Sequence, residues 1–227
     1  MNYIFSPSPQ PALPIIGNDS LFPVHRIYCV GQNYAEHALE MGHKNCDRQP
    51  FFFQKNPDNI FIETEFPYPT ASEEVHWEIE MVVALKTGGT NISLKDAMNN
   101  VFGYGVGLDM TRRDLQRYAK QMGQPWEASK AFDKSAPCTA LIDASQIGHP
   151  DAGAIWLDIN GVRSQNSDIS RMIWTIPEQI THLSSLFELR PGDLIFTGTP
   201  AGVGAIKRGD YLKGHVDGLP ELNIKVV

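Results

Sequence analysis

Cysteine is scarce in this 227-residue chain: Cys29, Cys46 and Cys138 are the whole set. No two stand at CxxC spacing, and an odd number builds no closed disulfide framework. This excludes a cysteine-ligated zinc module and a disulfide scaffold. It fits a reducing cytoplasm, with each cysteine a small buried residue rather than a nucleophile. Long apolar runs are missing too. No stretch approaches the roughly 20 residues of a membrane helix, and no basic segment followed by an apolar one opens the chain at Met1, so neither a membrane span nor a signal peptide is expected. Basic charge is in deficit, with 19 Lys and Arg against 26 Asp and Glu, a formal charge of -7. That balance argues against a broad nucleic-acid footprint. Three common motifs are also lacking. Gly103, Gly105 and Gly107 give G-x-G-x-G, not the G-x-G-x-x-G of a dinucleotide fold. TGTPAGVG has no Lys-Ser/Thr for a P-loop, and no G-x-S-x-G marks a serine hydrolase.

Glycine and proline are plentiful, 19 and 16 residues, which favours short strands and turns over a helical bundle. The length suits one buried core, and no repeat or linker divides it. The expected organisation is a proline-rich arm over residues 1–20, extended or edge-like because proline cannot donate to a ladder, and a single domain over 21–227. Strands are expected in PVHRIYCVG, PFFFQK, HWEIEMVVAL, VFGYGVGLD, ALIDAS, AIWLDIN, DLIFTGTP and twice in the tail. Asn160-Gly161 signals a hairpin. Helices are expected over residues 34–41, capped by Asn33 and stopped by Gly42, and in TRRDLQRYAKQ, amphipathic through Leu115 and Tyr118. A third is expected in TIPEQITHLSSLFEL, with Ile176, Ile180, Leu183 and Leu186 at helical spacing.

The chemistry centres on HWEIEMVVAL and VFGYGVGLD. Glu78 and Glu80, two apart on a strand, point to one face, with Trp77, Ile79, Met81 and Val83 on the other. Asp109 ends the second run. If the strands are neighbours, three carboxylates converge, an all-oxygen set suited to Mg²⁺ or Mn²⁺. The competing reading is a solvated E-x-E face, with Asp109 as a helix N-cap or Thr111 and Asp114 as a capping box. His37 and Glu40, three apart, share a helix face. They form either a general base oriented by its carboxylate or a solvated pair; His43 falls in the turn beyond. Lys55 is either a snorkelling edge residue or a cation at a pocket mouth. Arg112 and Arg113 oppose the helix dipole, so a substrate carboxylate, Asp114 or Glu127 is expected to hold them. The TGTPAGVG turn is expected to aim backbone amides into a pocket.

Taken together, YCVGQNYAEHALEMG, PFFFQK, HWEIEMVVAL, YGVGLDMTRRDLQ, PWEASKAFD, DINGVRSQ and RPGDLIFTGTPAGVG resemble the fumarylacetoacetate hydrolase family, closest to its small acylpyruvate-cleaving members. The resemblance implies an α+β fold, a mixed β-sandwich roll with short peripheral helices, cytoplasmic and homodimeric. It implies Mg²⁺ or Mn²⁺ on Glu78, Glu80 and Asp109, and His37, Glu40 and Lys130 as catalytic residues. Lys55, Arg113, Gln116 and Thr199 would contact a small anionic 2-oxo acid. The activity implied is metal-dependent hydrolysis of an acylpyruvate carbon–carbon bond, fumarylpyruvate giving fumarate and pyruvate, within aromatic catabolism. Oxaloacetate decarboxylation or isomerisation of a 2-hydroxy-dienedioate on the same site is the alternative, and a non-catalytic 2-oxo acid binder a third reading. The chain departs from the family at Gln32, where an arginine is common, and at Asn56, where a proline is common.

Overall fold

The computed structural model describes residues 2–42 and 49–227; the turn position of His43 and the burial of Cys46 lie outside the described residues. Strands dominate, and the helices are short. One sheet has six strands in the order Ile142–Asp143, Val101–Leu108, Ile79–Leu85, Asp193–Phe196, Arg26–Gly31 and Phe51–Lys55. Its neighbours are antiparallel except Asp193–Phe196 against Arg26–Gly31. A second sheet has five, in the order Val162–Asp168, Ala154–Ile159, Tyr211–Val216, Leu222–Val226 and Glu65–Phe66. Asn160 and Gly161 make its two-residue turn with φ of 51° and 80°, the left-handed values that a primed hairpin turn needs.

Strand alternation explains where the core sits. Ile79, Met81, Val83 and Leu85 face the second sheet and pack with Ile155, Leu157, Leu212 and Ile224. Val82 and Ala84 face the opposite way, with Ile27, Cys29, Leu194 and Phe196. That second layer is closed by a hairpin, Ala12–Ile15 against Asn18–Pro23, through Leu13 and Phe22. Burying those two side chains contributes roughly 1.5–3 kcal/mol each. The arm therefore ends in a hairpin whose second strand runs across residue 20. Every residue of Ile79–Leu85 is buried, so nothing on the E-x-E strand is a solvated face. Gly103 is needed by its neighbour, because a Cβ there would lie 2.1 Å from the Ile142 carbonyl oxygen.

Four local expectations are corrected. The first helix, Ala35–Glu40, starts behind Tyr34, not Asn33. The Asn33 amide donates instead to the Trp174 and Thr197 carbonyls at 3.0 and 2.8 Å and accepts from Trp174 N at 2.7 Å. Helix Arg113–Met122 buries Arg113, Gln116 and Ala119, while Tyr118 is exposed and Leu115 only half-buried. Its inward face is polar, and an apolar stripe could not have located it. Asp109 and Thr111 cap nothing, since that helix begins behind Arg112; Asp114 accepts from Ser72 Oγ and the Glu73 amide. In helix Ile176–Leu186 the Thr175–Glu178 capping box is formed, and the buried stripe ends at Leu183, with Leu186 exposed. Among the described residues no helix is long and apolar enough to cross a membrane.

Candidate metal centre and active site

HWEIEMVVAL is two strands. Val75–Trp77 belongs to a small three-stranded sheet and Ile79–Leu85 to the large one, so Glu78 is the residue at which the chain changes sheets. Glu80 lies opposite Gly107 in the antiparallel pair with Val101–Leu108. Asp109 follows that strand directly, and its amide donates to the Glu78 carbonyl at 2.9 Å. The two runs are neighbours, and carboxylate oxygens of Glu78, Glu80 and Asp109 come within 4.8 Å of one another. All three residues are at most 5% exposed.

Three buried cations answer them. Lys130, on the short helix Glu127–Lys130, donates to Glu78 Oε2 and Asp109 Oδ2 at 2.7 Å each and to Thr111 Oγ1 at 2.6 Å. Arg113 donates to Glu78 Oε1 at 2.5 Å and to Gln116 Oε1 at 2.7 Å. Glu78, not Asp114 or Glu127, is thus what holds this arginine in the first helical turn. Arg112 lies over the Phe132 ring at 4.3 Å and donates to the Ala128 carbonyl. Lys55 donates to the Met110 and Lys130 carbonyls, with its ammonium 2.8 Å from Asp109 Oδ1. Its strand is the edge of the large sheet, but the side chain neither snorkels to solvent nor sits at the pocket mouth; it is buried against the carboxylates. Phe51 and Phe53, on the same face of its strand, reach the cleft above it.

The three acids do not share one electrostatic environment. Burial would raise Glu78, but the Lys130 and Arg113 charges override it and hold the carboxyl well below the usual range. Glu80 is pushed well above that range by burial, then by the Asp109 and Glu78 charges. Among the described residues its one hydrogen-bond donor is the Gly198 amide at 2.8 Å. Gly198 has φ of 100°, and a Cβ there would lie 2.6 Å from Asn33 Cβ. Lys130 stays a cation: Asp109 and Glu78 raise its pKa against the pull of burial.

This donor set fits a hard divalent ion. It is all oxygen, buried and mutually repulsive, and among the described residues Asp109 Oδ1 accepts no aligned hydrogen bond despite the nearby Lys55. An ion on these oxygens would relieve the mutual repulsion that raises the Glu80 pKa.

The remaining candidates line the same cleft. His37 Nδ1 is 3.0 Å from Glu40 Oε2, and Glu40 Oε1 accepts from the Gly202 amide at 3.2 Å. Burial opposes ionisation of Glu40, but the His37 and Gly202 hydrogen bonds outweigh it and lower its pKa. In the tautomer that donates Nδ1–H to Glu40, the lone pair of the His37 ring lies on Nε2. The TGTPAGVG amides do aim at anions, namely the protein's own Glu80 and Glu40. Thr199 is buried on the cleft wall, with Oγ1 accepting from Gln165 Nε2 at 2.8 Å.

Gln165 was not anticipated. Fully buried, it also donates to the Pro200 carbonyl at 2.8 Å and accepts from the Ile79 amide, between Glu78 and Glu80, at 3.1 Å. It lies in a polar strand with no pattern to mark it. Lys120 was missed as well, although its spacing from Arg113 and Gln116 carries a helical signal. Cys29 and Cys138 are buried and pushed up, Cys138 to about 12, which leaves inert thiols.

The model of the Fumarylacetoacetate (FAA) hydrolase C-terminal family matches residues 26–227. The chain belongs to the fumarylacetoacetate hydrolase family. A fumarylpyruvate hydrolase of Ralstonia sp is 38% identical over 180 residues, 78% of this chain and 93% of that protein. A mitochondrial oxaloacetate tautomerase of Mus musculus is 39% identical over 202 residues, 88% and 90%. The crystal structure of fumarylpyruvate hydrolase from Pseudomonas aeruginosa in complex with Mn²⁺ and pyruvate superimposes with a TM-score of 0.98, at 50% identity over 100% of this chain and 99% of that one. The α+β roll expected of this family, mixed sheets with short helices outside, is the fold observed. Membership makes the chain a metal-binding enzyme of the hydrolase type.

Proposed function

We propose that this enzyme hydrolyses the carbon–carbon bond of an acylpyruvate, fumarylpyruvate giving fumarate and pyruvate, with Mg²⁺ or Mn²⁺ on Glu78, Glu80 and Asp109. The observation that carries the reading is a carboxylate-oriented histidine in the same cleft as the three buried carboxylates. A site that only chelated 2-oxo acids would have no use for such a base. When bound, the ion supplies Lewis-acid stabilisation of negative charge on the 2-oxo acid oxygens. His37 Nε2 takes a proton from water, and Glu40 stabilises the imidazolium. The hydroxide adds to the acyl carbonyl. Lys130 can donate to the resulting oxyanion by giving up one of its three present bonds. The carbon–carbon bond then breaks, its electron pair leaves with the pyruvate half, and the His37 proton goes to that carbon. A Schiff base at Lys130 is disfavoured, because a charged and fully engaged ammonium has no free electron pair.

Arg113, Gln116 and Thr199 line the cleft and are proposed to orient the substrate; Lys55 would act through Asp109. We also propose a single catalytic domain over residues 21–227 with an arm over 1–20, a cytoplasmic location and a homodimer. Exposed Tyr3, Ile4 and Phe5 in the arm support the dimer, and light scattering would return one chain mass if it is wrong.

The mouse relative gives a second reading, in which oxaloacetate is tautomerised at the same carboxylates; its decarboxylation there is the related alternative. Neither reaction needs an attacking water. His37→Ala should therefore lower acylpyruvate hydrolysis about 10²–10⁴-fold with Mn²⁺ binding intact. Full hydrolysis in that variant, or turnover of oxaloacetate alone, would remove the hydrolase reading.

A further inference from the structure

The outer half of the cleft has a chemistry of its own. Its lining is Lys120, Trp126, Phe51, Phe53, Met41 and Gln32. Helix Arg113–Met122 presents Arg113, Gln116 and Lys120 to the cleft, three and then four residues apart, in one stripe leading outward. The first two are engaged with Glu78 and with each other. Lys120 is different: among the described residues no carboxylate pairs with it, and its ammonium sits 5.1 Å from the Trp126 ring centroid. Partial desolvation, then the charges of Arg113 and Lys130, lower its pKa against a smaller opposing pull from Glu78, although much of the side chain is open to solvent. Trp126 meets Phe51 edge-on at 5.7 Å and Phe53 tilted by 57° at 5.9 Å, so this half is walled by aromatic rings set at angles to one another.

We propose that Lys120 recognises the far carboxylate of the acyl group, so that the outer half of the cleft is a subsite for a planar, conjugated acid. The inference rests on reading the cleft as an acylpyruvate site. The inner half already balances three carboxylates against Lys55, Lys130 and Arg113, whereas among the described residues the single formal charge on the outer lining is the Lys120 ammonium. A conjugated chain lies against the aromatic wall and ends within reach of a charge-assisted bond to that ammonium. Lys120 is then a specificity-determining residue that selects diacid substrates over neutral-acyl ones.

The test compares fumarylpyruvate with acetylpyruvate, which lacks the second carboxylate, in the Mn²⁺-loaded wild type, Lys120→Met and Lys120→Arg. Lys120→Met should lower kcat/KM for fumarylpyruvate by roughly 10–100-fold more than for acetylpyruvate, chiefly through KM, and Lys120→Arg should recover most of it. Calorimetry gives a readout without turnover: Lys120→Met should weaken fumarate binding and leave pyruvate binding alone. Equal losses on both substrates would overturn the assignment. If the wild type cleaves neither acylpyruvate, the functional reading fails, and fumarate affinity alone decides the role of Lys120. Equal fumarate affinity in wild type and Lys120→Met would then overturn it.

Discussion

Glu80 carries the most consequential charge in the molecule. Its pKa is raised by burial, then by Asp109 and Glu78. An acid with a raised folded pKa binds its proton more tightly when folded. Its stabilising contribution is complete below the ordinary carboxylate range and is lost as pH rises through the raised value. Glu78 works the other way, its contribution being present above that range and lost as pH falls below it. Chelator-treated protein should therefore melt at lower temperature as pH climbs from the ordinary carboxylate range through the raised Glu80 value. A divalent ion needs the ionised form, so the stabilisation by Mn²⁺ should grow over the same interval. Thermal melts with Mn²⁺ and with chelator check this. A Mn²⁺ shift that is flat or shrinks with pH would show that Glu80 is already ionised.

Among the elements, the strand pair Ile79–Leu85 and Val101–Leu108 was legible because apolar alternation and glycines bounded both runs, and Asp109 ended one of them. The break at Glu78 was not, since sheet switching is a tertiary event with no local signal. Helix Arg113–Met122 was found, but its inward face was misassigned. Its buried partners are carboxylates, so the burying residues are Arg113 and Gln116 rather than Leu115 and Tyr118. Gln165 shows the same limit, because its value lies in tying Ile79 to the Thr199 loop, which are far apart in sequence. Gln165→Leu leaves the buried Ile79 amide without a partner and should cost about 1–3 kcal/mol in urea unfolding. It should also weaken Mn²⁺ binding roughly 10–100-fold, as loss of an outer-shell support does. Unchanged values for both would make Gln165 packing only.

At the scale of the molecule, the two sheets bury the main core between them, and the hairpin closes a second layer behind the central strand. That strand delivers Glu80 from a position where no residue is solvated. The fold's class and its carboxylate triad followed from strand patterns and from the motif set. The cation cage did not, because Lys55, Lys130 and Arg113 come from three separate segments that only the assembled sheets bring together. The cage and the triad balance in charge, and a divalent ion would leave a positive site matched to a dianionic substrate. The direct test is back-titration of chelator-stripped enzyme with Mn²⁺ while fumarylpyruvate hydrolysis is followed. The account predicts no activity without the ion, full activity at one ion per chain, and none at any Mn²⁺ concentration in Glu80→Gln. Full-rate hydrolysis by the stripped wild type would contradict it.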